Sequence, residues 1–140
     1  MNITYNLKNI TCKTSMDICQ YAVLKAEKLG IKINVSVADK SGLEMAFLRM
    51  ENSFIHSIEI AKNKAYTSAS FGFASGTWTD IFKNAPHLEQ GFSNRDRLIP
   101  FGGGLPITKD GEVIGAIGVS GGTEEEDIIC AKYALEKIGV

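Results

Sequence analysis

Residues 101–127 read F-G-G-G-L-P-I-T-K-D-G-E-V-I-G-A-I-G-V-S-G-G-T-E-E-E-D, and this stretch decides the fold. Gly102, Gly103, Gly104 and Leu105-Pro106-Ile107 open a strand. Asp110-Gly111 supplies the pair a tight hairpin turn prefers, because such turns need positive φ. Residues 113–119 run back as a buried strand of Val, Ile, Ala and Gly. Ser120, Gly121 and Gly122 then turn the chain into a helix predicted over residues 124–138. Thr123 with Glu126 forms the capping-box pattern, in which each side chain bonds the other's backbone N–H. Glu124, Glu125, Glu126 and Asp127 put negative charge at the positive end of the helix dipole. Ile128, Ala131, Leu135 and Ile138 form its buried stripe.

Upstream, residues 2–10 alternate and form a strand or an ordered arm. A helix is predicted over residues 15–29, with apolar Cys19, Ala22, Val23, Ala26 and Leu29 at helical spacing. Thr14 or Ser15 caps it, and Gly30 ends it. Residues 31–39 read as a strand with Ile33, Val35 and Val37 on one face, and residues 43–50 return as its hairpin partner. A second helix ends near Phe71, with Ile58, Ala61, Ala65 and Ser68 or Ala69 inward. Residues 72–98 are aromatic and less regular, with a short helix near residues 79–84 that Ala85-Pro86 ends. Hairpin-linked strands between helices imply an α+β fold with an antiparallel sheet.

At 140 residues, the chain reads as one domain over 1–140. A net charge of −1 argues against nucleic acid or an anionic membrane surface as partner. No apolar stretch is long enough to span a bilayer. Three cysteines without a C-x-x-C pattern predict reduced, buried thiols rather than a disulfide framework or zinc ribbon. The N-terminus lacks a basic region followed by an apolar run, so a cytoplasmic location is expected.

Gly118-Val119-Ser120-Gly121-Gly122 matches the G-x-S-x-G nucleophile elbow. Both histidines, His56 and His87, precede the serine, against the order that fold requires, so a tight strand-to-helix turn is the better reading. A phosphate cradle is disfavoured, because four acidic residues follow these glycines and no Walker lysine does. The Gly102-Gly103-Gly104 bend is more hospitable, since backbone N–H groups there can meet a carboxylate. Arg49 can bind a carboxylate bidentately. Lys64, between inward-facing Ala61 and Ala65, is read as a partly buried cation or a snorkelling side chain. His56 and His87 are the lesser candidates for a metal or haem iron, solvated side chains being the simpler expectation.

The chain resembles the GlcG/HbpS-type family of small haem-binding proteins, which also forms the C-terminal domain of PduO-type proteins. The resemblance rests on V-S-V-A-D-K-S-G ending at Gly42, F-L-R-M ending at Met50, and S-I-E-I-A-K-N-K-A-Y-T-S-A ending at Ala69. It continues through Thr77-Trp78, G-G-G-L-P-I and D-G-E-V-I-G-A-I-G-V-S-G, and spans about residues 22–138. It implies a profilin-like, five-stranded antiparallel sheet with helices on both faces, and homo-oligomers. Some members bind haem or assist its breakdown. In one branch the ligand is a histidine of the first helix, whereas residues 15–29 here contain none.

The leading expectation is a binding protein for a small anionic ligand, haem or a related tetrapyrrole. Its site would comprise Arg49, Lys64, Trp78, Gly102, Gly103, Gly104 and Pro106, with cations on carboxylates and the aromatic stacked on the ligand. One alternative is an enzyme of diol, glycerol, glycolate or haem metabolism with Lys64 or Asp39 in proton transfer. Another is a structural oligomeric subunit without a ligand.

Overall fold

The structure, a computed structural model, describes residues 1–140. Its elements are α1 (Cys12–Leu29), β1 (Asn34–Asp39), β2 (Glu44–Arg49), α2 (His56–Phe71), α3 (Thr77–Asn84), α4 (Pro86–Phe92), β3 (Gly104–Lys109), β4 (Glu112–Ser120) and α5 (Glu124–Ile138). The strands form one antiparallel sheet in the order β2-β1-β4-β3, built from two hairpins joined through the β1–β4 pair. The chain is therefore α+β, with α1 and α5 on one face and α2 on the other.

Side chains alternate across a strand, so the faces differ in chemistry. Ile33, Val35, Val37, Ile117 and Val119 join Ile18, Cys19, Ala22, Ala26, Cys130, Ala131 and Ala134 in an apolar core under α1 and α5. The α2 side carries Asn34, Ser36, Gly118 and Ser120, all buried. Helix α2 lies close to that side because β4 presents a glycine: a Cβ on Gly118 would collide with the Ala61 carbonyl and the Ala65 amide.

The sheet has four strands, one fewer than the resemblance implies. The N-terminal arm does not supply the missing one. Residue 10 makes its one backbone bond to the sheet, Ile10 N–H to Ile114 O at 3.0 Å, and residues 1–9 run free of any ladder. Helix α1 begins earlier than residue 15, because Thr11 caps it by accepting from Thr14 N–H at 3.2 Å. Pro86 does end α3, and it also opens α4, since a proline in the first turn has no amide to satisfy. The capping box of α5 forms with both bonds at 2.9 and 3.2 Å.

Candidate functional site

The triple-glycine bend packs against α2. Ser75, after α2, donates its Oγ–H to Phe101 O at 2.6 Å and accepts from Gly104 N–H at 2.9 Å. Gly103 has φ +123, and a Cβ there would stand 2.6 Å from Lys64 Nζ. The glycines thus admit a lysine of the same chain. Lys64 Nζ donates to Val119 O at 2.8 Å and Asp127 Oδ2 at 3.1 Å, and lies 5.3 Å from the Phe101 ring centroid. The other Asp127 oxygen accepts from Gly122 N–H at 2.9 Å. The two side chains are 1% and 4% exposed. Burial pulls the Lys64 ammonium below the usual lysine range and pushes the Asp127 carboxyl above the usual carboxylate range, each opposed by its partner's charge.

The sequence-predicted residues separate into two groups. Lys64, Trp78, Gly102, Gly103, Gly104 and Pro106 lie around the start of β3, where Ser75 joins the bend to the α3 entrance. Arg49 is exposed on β2, the opposite edge strand, and donates to Ser53 O at 3.0 Å. Two strands intervene, which at the usual spacing puts roughly 14 Å between the edge backbones. None of these seven residues lines any of the five principal cavities. Asp39 Oδ1 accepts from Ser41 and Leu43 N–H at 2.8 and 3.0 Å, closing the β1–β2 turn. His56 and His87 are both exposed, and no three His, Cys, Asp or Glu side chains converge as a metal site would need. Burial pushes the Cys19 and Cys130 thiols up to about 12, so neither is a thiolate at neutral pH.

The aromatic segment builds a cavity instead. Trp78 and Phe82, four apart on α3, face inward together. Trp78 is 6% exposed and meets Phe71, Phe73, Phe82 and Phe92 at centroid distances of 4.9, 5.4, 5.4 and 5.2 Å. Its Nε1–H is buried without an acceptor. Trp78 is therefore the wall behind, and Phe82 and Phe92 are the rings that reach the open space. That space is a cavity of about 390 Å³ between α3, α4 and residues 98–100, lined by Phe82, Phe92, Leu98 and Pro100, with Thr79 and Lys83 among its polar groups. The signal for it was the clustering of aromatics over residues 78–92; the second short helix that completes it was hidden by Pro86.

A family model described as "haem degrading protein HbpS-like" matches residues 10–136. The chain belongs to this family. The chain is 35% identical over 137 residues to an uncharacterised 15.0 kDa protein from the dhaT-dhaS intergenic region of Citrobacter freundii, covering 97% of this chain and 96% of that one. Its fold is similar to that of the Klebsiella pneumoniae protein ORFY, with a TM-score of 0.90, 32% identity and coverage of 97% and 94%. It is similar also to PduOC, solved as a complex with haem, with a TM-score of 0.85, 29% identity and coverage of 94% and 96%.

Proposed function

We propose that the chain is a binding protein for an apolar, planar molecule of the tetrapyrrole class, held in the α3–α4 cavity. The observation that carries this is the cavity's apolar chemistry: two phenyl rings, a leucine and a proline, with Lys83, which pairs with Asp80 at 3.6 Å, and Glu89 among its polar groups. Its volume lies near the low end of the usual range for ligand sites. Trp78 contributes from behind by fixing Phe82 and Phe92. The haem complex of PduOC, a relative in fold and sequence, supports the same ligand class.

The lining offers apolar rings to part of a macrocycle and no ligand to its iron. It contains no His, Met, Cys or Tyr, the side chains that ligate haem iron. His87 belongs to α4 yet stands outside the lining, and His56 heads α2. The chain thus holds the ring by stacking and charge, as a carrier does, and no chemistry is assigned to a metal here. We propose in addition that the protein self-associates: Met1, Ile3 and Tyr5 of the alternating arm are more than four-fifths exposed, an apolar surface that a second copy would cover.

Titrations with haemin and with metal-free protoporphyrin IX test the ligand. Ring-based binding predicts saturable spectral shifts for both, with affinities within about threefold of each other. Lys83→Glu, at an exposed position, weakens both by about fivefold. His56→Ala and His87→Ala leave both unchanged. Failure of protoporphyrin IX to bind, or loss of haemin binding in either histidine variant, overturns the assignment.

A further inference from the structure

A smaller cavity lies on the α2 side of the sheet, beside the β1–β2 turn. It measures about 220 Å³, and Ser36, Glu44, Lys62 and Arg97 supply its polar groups. Arg97 is held there by three contacts. Its backbone sits at φ 62, a left-handed conformation that is strained for a non-glycine residue. Thr67 Oγ1–H donates to its carbonyl at 2.9 Å, and its Nε–H donates to Asn63 Oδ1 at 2.9 Å. Its guanidinium stacks 3.7 Å from the Tyr66 ring centroid. Tyr66 in turn fits only because position 42 is glycine: a Cβ there would stand 2.8 Å from the ring.

What this leaves is an exposed guanidinium, positioned by these contacts, whose Nη groups donate to nothing in the protein and which takes part in no salt bridge. Such a planar fork matches a carboxylate with two parallel hydrogen bonds. Across the cavity Lys62 Nζ lies 3.9 Å from Glu44 Oε2, and Ser36 Oγ–H donates to Glu44 Oε1 at 2.9 Å. Two cations against one carboxylate leave a single positive charge. A monoanion balances it; a phosphate dianion would exceed it and face Glu44 besides. The volume is below that of pockets for drug-sized ligands, so the fitting molecule is short.

We propose that this cavity is a binding site for a short monocarboxylate, its two oxygens on the Arg97 fork and its charge shared with Lys62. The site is separate from the α3–α4 cavity and stands or falls without it.

Sodium propanoate and inorganic phosphate, each titrated into the ¹⁵N-labelled protein at constant ionic strength, test the proposal. Propanoate shifts the amide signals of Ser36, Ala38 and Gly42 saturably and binds tighter than phosphate. Arg97→Gly weakens propanoate by about tenfold or more. Glycine takes positive φ without strain, so this variant keeps its fold, and an unlowered Tm verifies that. Arg97→Lys, which keeps the charge and loses the fork, also weakens propanoate about tenfold. The proposal is overturned by phosphate binding as tightly as propanoate, by unsaturable shifts, or by unchanged affinity in Arg97→Gly or Arg97→Lys.

Discussion

Lys64 and Asp127 bind the fold together at a point where water is excluded. Removing one partner leaves a buried group unpaired, and Asp127→Ala, which strands an ammonium, should cost about 3–5 kcal/mol. The pH dependence has a definite sign. The raised Asp127 pKa means that the native state holds more protons than the unfolded chain between the ordinary carboxylate value and the raised one, so stability falls as pH climbs through that window. The lowered Lys64 pKa means that the unfolded chain holds more protons between that lowered value and the ordinary lysine value, so stability rises with pH there. Asp127→Asn removes the counter-charge that holds the lysine pKa up. Urea melts of that variant should therefore show this gain in stability setting in at a lower pH than in the wild type, with a steeper slope there. An equal slope in both would show that Lys64 is not titrating in the fold.

The contact of α2 with β4 is made by backbone rather than by large side chains. Gly118→Ala puts a methyl group against the Ala61 carbonyl and the Ala65 amide, neither of which can rotate away. Overpacking of this kind should lower stability by about 3 kcal/mol, read as a reduced urea midpoint with unchanged m. Gly111→Ala is a control without crowding, since a Cβ there meets nothing within 4 Å, and only its positive φ opposes the change. What was legible in the sequence follows the same division. Both hairpins, the glycine stop after α1 and the capping box of α5 are local signals, and each stands where the residues put it. Strand count and order depend on which strands meet across the molecule, which no local pattern carries. Asp127 reads in the sequence as a dipole charge, although its place one turn before Cys130 and Ala131 sets it on the inner stripe, where an acid needs a buried partner. Arg97 gives no signal at all, because the contacts that place it come from Thr67, Asn63 and Tyr66 on another element.

At the scale of the whole molecule, the sheet ends in two open edges, β2 and β3, and the chain carries an arm with strand-like alternation that pairs with neither. Met1, Ile3, Tyr5 and Leu7 are apolar and exposed, and the polar Asn2, Thr4 and Asn6 alternate with them. The arm is anchored only from residue 8 onward, by the Lys8–Glu112 ion pair at 3.6 Å, the Lys40 N–H to Asn9 bond at 2.8 Å and Ile10 in the core. Unpaired edges and an unpaired alternating segment are complementary hydrogen-bonding surfaces, and a second copy supplies both at once. Deleting residues 2–7 leaves those anchors and the core in place. The shortened chain should therefore keep its circular dichroism spectrum and a Tm within a few degrees, yet elute with a lower mass by light scattering than the full chain at the same concentration. An unchanged mass would mean that the arm takes no part in assembly, and that its apolar side chains are covered by something other than a copy of this protein.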